Sequence, residues 1–209
     1  VKHISFGGRG SLLYLDHKNR LYGMGWNSHE EFQIKMPEDK RNNVSTAVFR
    51  QPVFIMKNII YASINEGGAV IAMKKDRSVW TWGSNAGGML GYDKNTDLIS
   101  CKPKKIFENV KYIVAGGYNM AVITEKNDLY LWGDNTYGQL GNGKKDGWYF
   151  GDSDKECWFK PKKVMKDVAA VHMGSGGIIV TRMDGSKWAT GIGFGNERSE
   201  SGKKVSTRF

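Results

Sequence analysis

The chain has 209 residues, with 31 Lys and Arg against 21 Asp and Glu, a formal charge of +10. Hydrophobic residues make up 40% and charged residues 25%, which excludes a disordered chain, a collagen and a membrane-embedded bundle. Glycine is over-represented at 27 residues while proline stands at 4, a balance that points to tight turns rather than flexible linkers. No apolar run approaches the ~20 residues that cross a bilayer as a helix.

In chain order the elements read as recurring β-hairpins. Ser11–Leu15 and Leu21–Met24 form the first, and Gly68–Met73 with Val79–Trp82 the second. Met120–Thr124 turns through Glu125-Lys126-Asn127-Asp128 into Leu129–Trp132. Ile178–Thr181 turns through Asp184-Gly185 into Lys187–Thr190. A further strand is expected at each Gly-Gly end and another at each proline end, giving about four strands per unit. No long segment shows the 3.6-residue apolar period of a helix.

Two landmarks set the repeat frame. Gly25, Gly83, Gly133 and Gly191 occupy equivalent places, and Pro52, Pro103 and Pro161 open similar stretches. The repeats are therefore 1–58, 59–109, 110–167 and 168–209, a single repeat domain over the whole chain. In the last repeat, Gly202-Lys203-Lys204-Val205 stands where the others have their proline strand. Small antiparallel units that cannot bury both faces alone are expected to stack radially. The expected fold is all-β: a β-propeller, or a propeller arc, of four antiparallel four-stranded blades.

Trp132 to Gly141 reads Trp-Gly-Asp-Asn-Thr-Tyr-Gly-Gln-Leu-Gly, and Trp82 to Gly91 matches it with Met89 in the glutamine place. These residues resemble the repeat of the regulator of chromosome condensation family. The first repeat keeps Gly25 and Asn27, has Met24 for the tryptophan, and between Ser28 and Phe32 has lost the Gly-Gln-Leu-Gly. The fourth keeps Gly191 and little more. A kelch propeller shares the double glycine and the later tryptophan but leaves Gly138-Gln139-Leu140-Gly141 unexplained. The resemblance implies a β-propeller. It also implies a choice among roles known in the family: nucleotide exchange on small GTPases, inhibition of secreted enzymes, and scaffolding.

Catalytic and cofactor signals are weak. His3, His17, His29 and His172 have no metal spacing, and no nucleophile motif is present. The glycine runs at 7–10 and 191–195 lack the strand-to-helix setting of a phosphate loop. Asp93-x-Asn95-x-Asp97 and Asp152-x-Asp154-x-Glu156 lack the closing Glu of a calcium loop and read as solvated charges. Cys101 and Cys157 are expected to be reduced, packed thiols, with a single bridge between neighbouring repeats as the alternative. No cofactor and no metal are expected.

Two features suggest partners. Lys104 and Lys105 recur as Lys162 and Lys163, then as Lys203 and Lys204, so an arc of lysines could attract anions. The competing reading is that lysine with proline blunts an exposed sheet edge. The connection from Gly141 to Pro161 is eight residues longer than that from Gly91 to Pro103. It carries Trp148, Tyr149, Phe150, Trp158 and Phe159, aromatics of the kind that anchor protein partners or that fold back over their own blade. The function expected is a non-enzymatic protein-binding propeller that uses loops on a rigid scaffold. The alternatives are a guanine-nucleotide exchange factor for a small GTPase and a nucleic-acid or chromatin binder. Self-association, or docking against further blades, is expected of an arc whose ends stay open.

Overall fold

The computed structural model describes residues 1–37, 40, 47–92, 98–143 and 158–192. The first sheet holds β1 (His3–Phe6), β2 (Leu12–Leu15), β3 (Arg20–Trp26) and β4 (Val48–Lys57). The second holds β5 (Ile59–Ile64), β6 (Ala69–Lys74), β7 (Val79–Ser84) and β8 (Ile99–Phe107). The third holds β9 (Val110–Gly116), β10 (Asn119–Thr124), β11 (Leu129–Gly133) and β12 (Trp158–Met165). The fourth holds β13 (Val168–Met173), β14 (Gly177–Arg182) and β15 (Lys187–Gly191). Strand order follows the sequence and every pairing is antiparallel. The four-stranded expectation holds for three blades. The fourth shows three strands among the described residues, and its expected last strand at 202–205 lies outside them.

Ile59, Val110 and Val168 are the first residues of β5, β9 and β13, and each is fully buried. The first strands lie side by side along an inner wall, β5 against β1, β9 against β5 and β13 against β9. Antiparallel order puts the β2–β3 type turns and the crossings between blades at one end of the wall. It puts the β1–β2 and β3–β4 type connections at the other.

At the crossing end each junction has the same two backbone latches. The amides of Ile59, Val110 and Val168 donate to the carbonyls of Asn19, Arg77 and Asn127 at 3.0, 3.2 and 2.9 Å. The amides of Lys75, Glu125 and Met183 donate back to Asn58, Asn109 and Asp167 at 2.9, 2.9 and 2.7 Å. All six acceptor residues have a left-handed backbone, with φ between 55° and 64°. Asn and Asp tolerate that region better than other side chains, and five of the six are Asn or Asp.

The cores lie between blades. Leu13, Leu15 and Leu21 of the first blade meet Ala62, Ile64, Val70 and Trp82 of the second. Ile71, Met73 and Val79 of the second meet Met120, Val122 and Trp132 of the third. Burying each such side chain stabilises by roughly 1.5–3 kcal/mol relative to leaving it in water. The glycine after the tryptophan is required by close approach. Gly83 and Gly133 have φ of 96° and 109°, and an added Cβ would run into the carbonyl oxygens of Gly68 and Tyr118.

Candidate functional site

The loop end is built on a repeated side-chain frame. Asn27, Asn85 and Asn135 each accept, through Oδ1, the backbone N–H five residues on, at Phe32, Leu90 and Leu140 (2.7, 3.1 and 3.0 Å). That folds each connection back so that Phe32, Leu90 and Leu140 are buried. The tryptophan of the next blade then ties the loop down. Trp82 Nε1 donates to the Glu31 carbonyl at 2.7 Å, and Trp132 Nε1 to the Met89 carbonyl at 2.9 Å. In the fourth blade Thr190 stands in the tryptophan place, and its hydroxyl donates to the Gly138 carbonyl at 2.7 Å.

This corrects the reading of the first repeat. Its loop has lost the glycines but not the backbone they form. Glu30 and Gln33 have φ of 61° and 60°, against 76° and 77° for Gly88 and Gly91 and 74° and 70° for Gly138 and Gly141. Buried acceptor contacts hold the shape. Glu30 Oε1 accepts the Met36 amide at 3.1 Å, and Glu31 Oε2 accepts the His29 amide at 2.9 Å. His29 Nδ1 lies 3.4 Å from Glu31 Oε1. Cys101, on β8, is a free thiol. Burial pushes its pKa up, and the hydrogen bond to Glu30 adds to the rise.

In the third blade Asp134 is the hub. Its Oδ1 accepts from the Thr136 amide and hydroxyl at 3.1 and 2.6 Å, and its Oδ2 from Gln139 Nε2 at 2.9 Å. Gln139 Oε1 in turn accepts the Tyr137 amide at 2.9 Å. A rigid base therefore presents the Tyr137 ring, which is 40% exposed. Phe6, Leu98 and Ile192 are also exposed at this end. Ser175 of the fourth blade donates to Glu66 of the second at 2.7 Å, bridging two inner turns.

The residues singled out from the sequence fall in different places. Trp148, Tyr149 and Phe150 lie outside the described residues. Trp158 opens β12 and is buried in the core, so it is not offered to a partner. Phe159 packs against Gly88 of the second blade. Lys104 and Lys162 are equivalent and each caps an aromatic ring, with Nζ 4.4 Å from the Tyr92 centroid and 4.5 Å from that of Trp158. Lys105 pairs with Glu108 and Lys163 with Asp128, both at 2.6 Å. Lys203 and Lys204 lie outside the described residues, as do both candidate calcium loops and Cys157. Among the described residues no group of three His, Cys, Asp or Glu could hold a metal ion, and no helix is long and apolar enough to cross a membrane.

Sequence reasoning missed Tyr137, because it sits inside the repeat motif and reads as scaffold. It also missed Glu30 and Glu31, which hold glycine-like backbone without glycine. The buried Asn27, aligned with Asn85 and Asn135, was the available signal.

Radial blades of antiparallel strands, latched at both ends and carrying dissimilar connections at one end only, define a segment of a β-propeller. The model of the regulator of chromosome condensation (RCC1) repeat matches residues 126–180, and a second model of that repeat matches residues 110–139. The chain thus carries repeats of the RCC1 family. The human E3 ubiquitin-protein ligase HERC2 is 30% identical over 167 residues, which is 76% of this chain and 3% of that protein. The Ras guanine nucleotide exchange factor C of Dictyostelium discoideum is 31% identical over 105 residues, 35% of this chain and 7% of that protein. The structure of yeast RCC1 (Prp20), solved with Kap60 bound, superposes with a TM-score of 0.74 at 20% identity, over 96% of this chain and 46% of that one. The chain thus spans less than half the length of each.

Proposed function

We propose that this chain is a non-enzymatic protein-binding propeller segment whose partner contacts are carried by the loop end. The observation that carries the reading is the asymmetry of the blades. The crossing end repeats one turn geometry at every junction. The loop end sets connections of different length and composition on an invariant hydrogen-bonded base, with Phe6, Leu98, Tyr137 and Ile192 exposed. Rigid scaffolds with variable loops are common binding architecture. The solved complex of the yeast protein with Kap60, and the study of that protein's binding to Gsp1p and histones, support protein recognition by such a fold. Affinity capture with the chain, compared with a Phe6→Ser/Tyr137→Ser variant, tests it. Capture by the variant is expected to fall with the melting temperature unchanged, and equal capture contradicts the reading.

Exchange activity on a small GTPase is the second reading, favoured by the likeness to the Dictyostelium exchange factor. Acceleration of labelled-nucleotide release from a panel of GTPases would establish it. A nucleic-acid role has less support, because Lys104, Lys105, Lys162 and Lys163 are engaged with rings and carboxylates of their own blades.

The leading face of the first blade carries the cross-strand row Ile4–Tyr14–Tyr22–Phe54. Tyr14 stacks on Tyr22 at 5.1 Å, and Phe54 meets Tyr22 edge-on at 5.7 Å. In the second and third blades the first three places of this row are packed in the cores between blades, as Ala62–Ala72–Trp80 and Ile113–Val122–Tyr130, while the fourth place holds Lys105 and Lys163, each in an ion pair. This face is therefore suited to receive a further blade of the same repeat type.

A further inference from the structure

The crossing end holds a cavity that the loop-end reading does not use. Its volume is about 480 Å3, within the range of small-molecule sites. It opens on the inner wall between the first strands of the second, third and fourth blades. Its floor includes Ile113, Ile123 and Val171, all buried. Tyr61 and Tyr112 stand in its wall, 37% and 52% exposed.

The repeat frame explains why there is space. His3, Tyr61 and Tyr112 occupy equivalent places in three blades, and the fourth has Ala170 there. One place earlier, Lys2, Ile60 and Lys111 give way to Ala169. Two small residues side by side leave open the volume that larger ones fill elsewhere on the wall.

Two cations line this apolar hollow, Arg77 and Lys111. Neither forms an ion pair among the described residues. Lys111 Nζ donates to Asn127 Oδ1 at 3.1 Å, which leaves it donors to spare. The carboxylate beside Arg77, Asp76, is engaged through Oδ1 with the Ser78 amide and hydroxyl at 3.0 and 2.6 Å. The guanidinium forms no salt bridge with a described carboxylate, beside tyrosine walls and an aliphatic floor.

We infer that this hollow is a binding site for an amphipathic anion, an apolar or aromatic group carrying one carboxylate. The apolar part fills the space left by Ala169 and Ala170 against Ile113 and Val171. The carboxylate meets Arg77 and Lys111 in charge-assisted hydrogen bonds. Affinity for the ionised head should exceed that for a neutral amide of the same shape by about tenfold or more.

The probe is 4-phenylbutyrate, with 4-phenylbutanamide as its neutral counterpart, titrated into the full chain carrying labelled alanine methyl groups. Saturable shifts of the Ala169 and Ala170 methyls are expected with the acid. At least tenfold weaker binding is expected with the amide, and with the acid on Arg77→Gln or Lys111→Met. Ala170→Tyr restores the residue type of the neighbouring blades and is expected to abolish the Ala169 shift while other alanine methyls keep their positions. The inference is overturned by the absence of a saturable shift, by equal affinity for acid and amide, or by an Ala169 titration unchanged in Ala170→Tyr. If Ala170→Tyr does not fold, the acid–amide comparison and the two charge variants decide alone.

Discussion

Replacing Trp132 tests the inter-blade frame at its most buried point. Its side chain is fully buried between the third and second blades, and its Nε1 donates to the Met89 carbonyl at 2.9 Å. A tryptophan buries 150–250 Å2, so at ~25 cal/mol per Å2 the burial contributes roughly 4–6 kcal/mol. Trp132→Ala is expected to cost about 3–5 kcal/mol, as large-to-small core changes do. Trp132→Phe keeps most of the packing and strands the Met89 carbonyl, at a cost of about 1–3 kcal/mol. Trp82, equally buried and bonded to the Glu31 carbonyl at 2.7 Å, should follow the same pattern. Trp188 is the internal control. It lies two places earlier in the frame and is 37% exposed, so Trp188→Ala should cost less than either. Urea unfolding followed by far-UV circular dichroism gives these values. A cost under ~1 kcal/mol for Trp82→Ala or Trp132→Ala, or one below that of Trp188→Ala, would refute the frame.

Gln33→Gly should stabilise by about 1 kcal/mol, because it removes a side chain from a left-handed backbone and relieves a buried Nε2 that has no hydrogen-bond partner among the described residues; thermal melting checks the sign. Gly91→Ala should destabilise, since its φ is 77° and a Cβ there would stand 3.0 Å from Trp132 Nε1; the same melting assay applies. Hydrogen bonds from the Ser78 and Ser186 side chains hold the Asp76 and Asp184 carboxyls below the usual carboxylate range. Their stabilising contribution is therefore complete above about pH 4 and lost as pH falls through those lowered values, and carboxyl NMR titration of Ser78→Ala should show Asp76 moving back up. The raised Cys101 thiol should alkylate more slowly at neutral pH than a free cysteine, as read by mass spectrometry. In isolation the chain should self-associate through its leading aromatic face. Light scattering should show a mass above that of one chain, reduced in Phe54→Ser, and a monomer at all concentrations would contradict it.

The hairpins, the repeat starts and the places of Trp82 and Trp132 were legible because each recurs at a fixed step and turns on residue types with sharp backbone demands. Ile59, Val110 and Val168 begin strands where the proline landmarks put them. The first loop was not legible, since Glu30 and Gln33 adopt left-handed backbone against their own preference and hide the motif. Thr190 likewise replaces a tryptophan's donor with a hydroxyl, a substitution no similarity scale would flag. Trp158 reads in sequence as part of an aromatic loop. Only the pairing of Gly133 with Trp158 shows that it is the first residue of an outer strand. The lysine arc was ambiguous until the register set Lys104 over Tyr92 and Lys162 over Trp158. The cavity at the crossing end comes from two alanines, and small residues give no signal until the repeat frame shows what they replace.

The central claim is that contacts to a protein partner lie at the loop end, while the crossing end holds the blades together. Hydrogen–deuterium exchange of the chain, alone and with the partner it captures, tests this most directly. The account predicts added protection at 27–37, 85–92 and 134–143, with the turns at 16–19, 75–78 and 125–128 unchanged. Protection confined to those turns or to the lysine-bearing strands β8 and β12 would contradict it.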